Sequence, residues 1–293
     1  MILRVKSLDD IRLDIYLLKQ LSDKYNRSYI KKNIVSGRVK VNGKVVLKAG
    51  YKIHLSDIIQ INFIKEVAQL IDIPIIYEND DVIVINKPIG ILSHSKGSIL
   101  EEGTVSSWAL EKLTGLTGNR AGIVHRLDRA TSGVMILAKN INAEIFLQKQ
   151  FSTRKVKKIY YAIVHGIPKA SEAIVDIPIT RNMTNPKSFI VSQNGKTSQT
   201  KYKVVKINHT KKLTLLKLIP YTGRTHQLRV HLNYLNLPIL GDTLYNKNEK
   251  SIVTRMYLHA YSLEINLPNN LKRKKFVAKL PDEFNSIMNK KDG

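Results

Sequence analysis

The chain has no cysteine among its 293 residues. Disulfide-stapled folds, thiolate nucleophiles, zinc ribbons and iron–sulfur clusters are therefore excluded. Long apolar runs are also missing, and none approaches the roughly 20 residues that a helix needs to span a bilayer. Residues 1–6 carry charges where a signal peptide has an apolar segment. We therefore expect a cytoplasmic protein without membrane association.

Acidic residues are scarce. The chain has 23 Asp and Glu against 48 Lys and Arg, which gives a formal net charge of +25. Hydrophobic residues make up 43% of the chain, enough to build a core, so a disordered basic tail is excluded. The positive charge is clustered, with seven lysines and no acid in residues 196–217. A charge of this size favours a polyanionic partner, most commonly nucleic acid.

The first part of the chain has the pattern of a small separate module. Apolar spacing predicts helices over residues 7–22 and 28–36, and Ser7 with Asp10 resembles a capping box. Asn42-Gly43 lies between alternating strand residues, which indicates a hairpin with a type I′ turn. The sequence thus predicts a small α/β domain over residues 1–66, a linker over 67–73 and a larger domain over 74–293.

The larger domain is richer in strands than in helices. Strands are predicted over residues 75–77, 82–85, 134–138, 160–165, 200–207 and 213–219, and helices over 105–113, 142–151 and 225–235. Several strands follow one another directly, which a doubly wound parallel sheet does not allow. We expect an α+β fold in which helices flank a mixed, mostly antiparallel sheet.

Common cofactor motifs are missing. The chain has no Gly-x-Gly-x-x-Gly dinucleotide fingerprint and no Gly-x-Ser-x-Gly hydrolase elbow. Its eight histidines are scattered and lack the spacing of a metalloprotease helix. We therefore expect neither a metal nor a cofactor.

The segment with the clearest chemistry is residues 125–139, where a charged loop runs into an apolar strand. Asp128 lies between Arg126 and Arg129. A nearby guanidinium stabilises the ionised form of a carboxylate, so Asp128 is a candidate nucleophile or base. Charge pattern alone favours a surface aspartate in an arginine-rich loop.

Two further segments carry candidate residues. Residues 222–231 contain Arg224, Arg229, two histidines and a threonine that could cap the following helix. The same pattern fits an amphipathic helix that packs Leu228 and exposes its basic residues. Residues 156–164 place Tyr160 and Tyr161 on opposite faces of a strand, where ordinary aromatic packing is the commoner fate.

Taken together, these segments strongly resemble the RluA-type pseudouridine synthases. The resemblance covers about residues 74–285, in segments 77–90, 125–139, 156–164, 222–231, 239–245 and 276–281. The pairing of His-Arg-Leu-Asp with Gly-Arg-Thr-His-Gln-Leu-Arg is highly specific. Residues 12–14 and 37–43 resemble the small RNA-binding domain of ribosomal small-subunit protein four. The whole chain is therefore similar to the RluC/RluD-like enzymes that modify large-subunit ribosomal RNA, and residues 121–124 favour the RluD branch. Two positions depart from the family pattern: Ser56 and Asn246 replace the usual glycines.

The resemblance implies isomerisation of a flipped-out uridine to pseudouridine, without a cofactor or metal. Asp128 would be the essential carboxylate, Arg229 its ionic partner and Tyr160 the ring that stacks on the base and assists removal of the proton from C5. The other residues implied at the substrate are Leu228 beside the base, Arg126 in the space left by the flipped nucleotide, His125 and Arg224. The residues implied in RNA binding by the first domain are Arg12, Arg27, Lys31, Arg38, Lys40 and Asn42. The partner would be large-subunit ribosomal RNA, free or in a pre-ribosomal particle, and the protein a monomer.

Two other functions remain open at the level of sequence. The first is a catalytically inactive RNA-binding or ribosome-assembly protein on the same fold. The presence of Asp128, Tyr160 and Arg229 argues against it, since a module that only binds needs no acid in a basic groove. The second is an aspartate-dependent hydrolase, which would usually need another carboxylate or a metal cluster beside Asp128.

Overall fold

The computed structural model describes residues 1–6, 11–22, 25, 27–63, 71–94, 103–118, 120–246, 253–268 and 272–289. The strands are β1 (Ile2–Arg4), β2 (Ile11–Arg12), β3 (Val39–Val41), β4 (Lys44–Val45), β5 (Lys52–Ile53), β6 (Ile58–Ile61), β7 (Ile75–Glu78), β8 (Val82–Lys87), β9 (Ser132–Ala138), β10 (Lys157–His165), β11 (Glu172–Asp176), β12 (Ile179–Arg181), β13 (Phe189–Val191), β14 (Gln199–Asn208), β15 (Leu213–Pro220), β16 (Leu258–Asn266) and β17 (Arg273–Val277). The helices are α1 (Leu13–Leu21), α2 (Arg27–Val35), α3 (Val105–Ala109), α4 (Ile141–Ser152), α5 (Gln227–Tyr234) and α6 (Asp282–Asn289), with a 3₁₀ turn, η1 (Leu110–Lys112), after α3.

The N-terminal domain packs α1 and α2 against a small antiparallel sheet with strand order β1-β6-β3-β4. Leu13, Leu17, Ile30, Ile34 and Ile59 are fully buried at its centre. The prediction of a helix from residue 7 is wrong at its start, because strand β2 pairs with β5 and the helix begins only after it. The proposed Ser7–Asp10 capping pair lies outside the described residues.

The predicted hairpin turn is confirmed. Asn42 and Gly43 have φ angles of 49° and 78°, as a type I′ turn requires. Ser56 also has a positive φ, 69°, which explains why a glycine would suit this position. Asp57 links the hairpin turn to the turn at Ser56, because its carboxylate accepts hydrogen bonds from the Asn42 side chain (2.7 Å) and the His54 amide (2.7 Å).

The larger domain is built on a nine-stranded sheet with strand order β11-β14-β15-β10-β16-β9-β8-β7, in which β17 pairs with β16. Among the described strands, β9 with β16 is the one parallel pair, so the sheet is mixed and mostly antiparallel, as predicted. Strands β11, β12, β13, β16 and β17 were not predicted. Strand β17 contains the basic run 273–275, whose composition hid a strand that pairs with β16 over five residues.

Helix α5 begins two residues later than predicted. His226, just before it, has a left-handed φ of 57° and makes no side-chain cap, so no threonine caps this helix. Gln227 instead holds the preceding loop: its Oε1 accepts from Thr222 Oγ1 (2.7 Å) and the Arg224 amide (3.0 Å). This side-chain network fixes the path of the chain into α5.

The centre of the sheet positions the loop that precedes β9. Gly133 on β9 has φ +115°, and a Cβ there would lie 2.2 Å from the carbonyl oxygen of Ala260 on β16. Only glycine allows this close parallel pairing.

Ile73, at the end of the predicted linker, is buried in the core formed by β8, β9 and α4. None of the helices in the described part of the chain has the length and apolar character needed to cross a membrane.

Candidate active site

One cleft of about 560 Å³ collects the residues predicted at the substrate. Its walls include His125, Arg126, Asp128, Tyr160, Arg224, Leu228 and Arg229. These residues come from the loop before β9, from β10 and from the loop and first turn of α5. The volume lies within the range of small-ligand sites. Three segments that are distant in sequence therefore meet at one place.

Backbone contacts hold the loop that carries Asp128. The Thr131 amide donates to the Asp128 carbonyl (3.0 Å), and the Gly90 amide donates to the Arg129 carbonyl (2.8 Å). The buried Lys87 ammonium donates to the Pro88 and Ile91 carbonyls, both at 2.8 Å, and to the Arg129 carbonyl at 3.4 Å. Burial lowers the pKa of Lys87 to about 7, although the charge of Asp128 opposes this shift. Lys87 was not predicted as a functional residue.

Asp128 pairs with Arg229, as the resemblance implied. Arg229 Nη1 lies 3.4 Å from Asp128 Oδ2, across 101 positions of sequence. The Asp128 side chain is 18% exposed and the Arg229 side chain 8%. The carboxylate therefore reaches the cleft, while its partner is almost completely buried. The fold thus brings a cation from a distant segment into ion-pair contact with this acid.

Arg229 has a shorter pairing with a second carboxylate. Its Nε and Nη2 donate to Asp242 Oδ2 and Oδ1 at 2.7 and 2.8 Å. Asp242 Oδ1 also accepts from the Leu244 and Tyr245 amides, and the Asp242 side chain is 1% exposed. Burial opposes the charge of Arg229, but the hydrogen bonds and charge of Asp242, with the charge of Asp128, leave its pKa above the ordinary value.

Asp242 is a second residue beside the cleft that the sequence analysis did not single out. It lies in segment 239–245, which was matched to the family without a role for this acid. A second carboxylate near Asp128 would favour the hydrolase alternative. However, Asp242 is buried and all its described side-chain contacts are to Arg229 and backbone amides, so it faces no substrate.

His226 and Tyr245 extend this network. His226 Nε2 lies 3.8 Å from Asp128 Oδ1, and its Nδ1 is 2.9 Å from Tyr245 Oη. The Phe189 amide donates to the same Oη at 2.9 Å, and the Arg229 guanidinium lies 4.9 Å from the Tyr245 ring centre. Burial lowers the pKa of His226, which favours the neutral imidazole near pH 7. Asp128 is thus enclosed by a neutral histidine and a cation.

Tyr160 and Leu228 form an apolar part of the cleft wall and pack in the same cluster of side chains. Burial, with the charge of Asp128, raises the pKa of Tyr160 well above its ordinary value. Its phenol therefore keeps its proton at neutral pH. An aromatic ring and an aliphatic side chain beside a carboxylate suit a planar base.

His125 is fixed by the fold. Its Nε2 accepts from the Ile136 amide (3.1 Å), and its ring stacks on Phe151 at 4.5 Å. Burial, with the nearby charge of Lys158, lowers the pKa of His125 to about 3. This histidine is therefore neutral, with its proton on Nδ1. Arg126 is exposed at the cleft, and Arg224 Nε donates to the Thr197 carbonyl (3.1 Å).

The residues predicted to bind RNA in the first domain divide into two groups. Arg12 and Arg27 both donate to the buried Asp14, and Arg38 and Asn42 donate to Asn33 and Asp57. These four side chains therefore use part of their hydrogen-bonding capacity within the domain. Lys31 and Lys40 are exposed.

Within the described residues, no three or more histidine or acidic side chains are grouped so that they could hold a metal ion.

Comparisons with known proteins identify the family. The family model described as RNA pseudouridylate synthase matches residues 81–234, and the S4 domain model matches residues 11–59. The chain belongs to the RNA pseudouridylate synthase family. It is an isomerase that acts on RNA and carries an N-terminal S4 domain.

Similar proteins cover nearly the whole chain. Ribosomal large subunit pseudouridine synthase D of Borreliella burgdorferi is 42% identical, over 94% of this chain and 87% of the relative. An uncharacterized RNA pseudouridine synthase of Aquifex aeolicus is 35% identical, over 95% and 93%. Among solved structures, human RNA pseudouridylate synthase domain containing 4 is 30% identical with a TM-score of 0.57, over 72% of this chain and 90% of that one.

Proposed function

We propose that this protein isomerises uridine to pseudouridine in large-subunit ribosomal RNA. The observation that carries the proposal is the arrangement at the cleft. Asp128 lines the cleft, and behind it Arg229 pairs with the buried Asp242. The target RNA class is supported by relatives named large subunit pseudouridine synthases, which match 88–95% of this chain at 34–42% identity. The charge of +25 and the S4 domain suit binding to a large RNA.

The reaction needs few groups from the protein. The bond between N1 of the base and C1′ of the sugar breaks, a bond from C5 to C1′ forms, and the proton on C5 leaves while N1 gains one. No electrons enter or leave, so no redox partner is required. Asp128 is the carboxylate in the cleft and can act as a nucleophile or a base, and Arg229 Nη1 lies 3.4 Å from its Oδ2.

The cleft walls are proposed to hold the uracil after flipping. Stacked RNA hides the glycosidic bond, so the target nucleotide has to leave the stack. Tyr160 offers its ring to one side of the base and Leu228 its side chain to the other. Because Arg126 is exposed beside Asp128 in sequence, it is suited to enter the space left in the RNA.

The remaining features of the proposal concern the oligomeric state and the contacts with RNA. The protein is proposed to act as a monomer. Lys31 and Lys40, together with Arg12, Arg27, Arg38 and Asn42, are proposed to contact RNA phosphates in the cytoplasm, where the substrate is free RNA or an assembling subunit.

The test is pseudouridine mapping by carbodiimide adducts and reverse-transcriptase stops. Unmodified large-subunit RNA and partly assembled subunits would be incubated with wild type, Asp128→Asn and the control Asp80→Asn, which changes an exposed acid in the β7–β8 turn. We expect stops with wild type and Asp80→Asn, and none with Asp128→Asn, whose RNA affinity stays within a few-fold. Stops with Asp128→Asn would refute the role of this acid. Tight binding without stops for any variant would favour the inactive alternative.

A further inference from the structure

Lys158 lies in the wall of the cleft but takes no part in the network around Asp128. It occupies β10 two positions before Tyr160, and both side chains line the cleft. Two strand residues on one face are about 7 Å apart along the strand. Lys158 therefore lies two residues along the same strand from Tyr160, the ring proposed to hold the base.

Lys158 is half-buried in the cleft wall, and no described acidic side chain pairs with it. Within the described residues it has no hydrogen-bond or ion-pair partner, and burial alone lowers its pKa to about 8. Its charge is felt by His125, which is neutral and offers no compensation. Partial burial of an unpaired cation is costly, and an anion bound on its cleft side would offset this cost.

The surroundings of Lys158 leave room for an anion and attract one. A Cβ on Gly223 would lie 3.6 Å from Lys158 Nζ, so a side chain at position 223 would fill the space next to the ammonium. The cleft walls contain five lysines and arginines against one acid, Asp128. Arg229 is committed to Asp128 and Asp242. The other four, Arg126, Arg154, Lys158 and Arg224, give this part of the cleft a surplus of positive charge.

We propose that Lys158 and the open space beside Gly223 form a phosphate subsite, which binds the RNA backbone phosphate next to the flipped uridine. The inference rests on the proposed function. An ammonium group donates to phosphate oxygens, and Arg224 and Arg154, which also line the cleft, add positive charge. Because Lys158 and Tyr160 share one strand, phosphate and base would be held in a fixed relation to each other.

The first test is the salt dependence of RNA binding, measured at equilibrium. Asp128→Asn would serve as the background, so that binding is read without turnover, with the large-subunit RNA transcript as probe. We expect Lys158→Gln to weaken binding about tenfold. The slope of log affinity against log salt should fall by roughly 0.7, the value for one phosphate contact on a single strand. Lys158→Arg should keep the slope.

The matched control is Lys169→Gln, which removes an exposed lysine in the loop between β10 and β11, outside the cleft and outside the 196–217 lysine cluster. It should leave affinity and slope within error of the background. An unchanged slope in Lys158→Gln, or an equal fall in both variants, would overturn the subsite. Pseudouridine formation by wild type would still stand in that case, so failure of the subsite is distinguishable from failure of the proposed function.

The second test is the pH dependence of the same binding. A bound phosphate raises the pKa of Lys158 above the free value of about 8. Its contribution to affinity is therefore complete below pH 8 and is lost as pH rises above it. We expect this loss with the lysine and not with Lys158→Arg, which stays charged. Equal pH profiles for lysine and arginine would contradict the proposal, even if Lys158→Gln fails to fold.

Discussion

At the scale of single residues, Asp242 controls the geometry around Asp128 without facing the cleft. It fixes two nitrogens of Arg229 at 2.7 and 2.8 Å, which leaves Nη1 to reach Asp128 at 3.4 Å. Two backbone amides fix Asp242 in turn. The position of the cation beside the candidate catalytic acid is therefore set by a carboxylate 114 positions further along the chain.

We expect Asp242→Asn to lower the isomerisation rate about 100-fold, because a small displacement of a catalytic group has effects of this size. Removing one partner of a buried pair should also lower the free energy of unfolding by about 3 kcal/mol. RNA affinity should change little, since Asp242 is not exposed. Single-turnover kinetics and urea denaturation would check these values. A rate within twofold of wild type would show that Arg229 is positioned by other contacts.

Tyr160 provides a second prediction at this scale. Its pKa is above the ordinary value of about 10, so it does not ionise between pH 6 and 9. Tyr160→Phe should therefore leave the shape of the pH–rate profile unchanged over this range. Tyr160→Ala removes the ring and should weaken productive binding by a further 10- to 100-fold, the usual worth of one base stacked on an aromatic side chain. Loss of an ionisation in the Tyr160→Phe profile would instead assign a proton transfer to the phenol.

At the scale of elements, the loop before β9 is held between the ends of two strands. Lys87 closes β8 and binds three carbonyl groups on the loops that follow β8 and precede β9. Gly133 is the second residue of β9 and allows the close pairing of this strand with β16. Contacts with the central strands therefore hold the candidate catalytic loop in position.

Lys87 gives the stability of the protein a specific pH dependence. Its folded pKa is about 7 against an ordinary value of 10.5, so between these values the unfolded chain binds more protons than the folded one. Stability from this group therefore rises with pH from about 7 to 10.5, by at most about 1.4 kcal/mol per pH unit.

The measurement is urea denaturation at several pH values. Lys87→Met should abolish this component of the rise, and Lys139→Met, which alters a lysine in a surface ion pair, should retain it. Identical pH dependence in wild type and Lys87→Met would show that Lys87 keeps its proton through this range in the folded protein. The same comparison would report the loss of stability from three unmade hydrogen bonds.

At the scale of the whole molecule, positive charge determines the encounter with RNA. The chain carries +25, spread over the S4 domain and the larger domain. Such charge adds affinity that does not depend on sequence and that falls steeply with salt. In the proposed function, the cleft then selects the nucleotide that can be flipped.

Lys31 and Lys40 test the contribution of the S4 domain. Both are exposed, so their replacement by alanine should cost little stability. We expect the double variant to weaken binding to all RNA sequences alike. It should also lower the salt slope by about 1.4, because each single-strand phosphate that a lysine neutralises adds roughly 0.7 to the slope. Arg27→Ala should differ, because Asp14 is buried and loses one of its two arginine partners, so stability should fall as well. An unchanged slope for the double variant would place the RNA path elsewhere.

Local sequence determined much of this protein. Alternating apolar residues marked the central strands, Asn42-Gly43 marked a hairpin, and paired motifs around Asp128 and Arg229 identified the family. These signals are local or lie in contiguous segments, so they can be read without a fold. Strand β17 was missed because its lysines gave no apolar alternation, and the start of α1 was misplaced because helical spacing continued through a short strand.

The tertiary structure alone decided the contacts between distant residues. It showed that Asp242 binds Arg229, that Lys87 ties the candidate catalytic loop to the sheet, and that Lys158 is a half-buried cation without a counter-ion among the described residues. The physical reason is that burial and ion pairing depend on which segments pack together. The sequence determines these contacts only through the complete fold, and no local pattern records them.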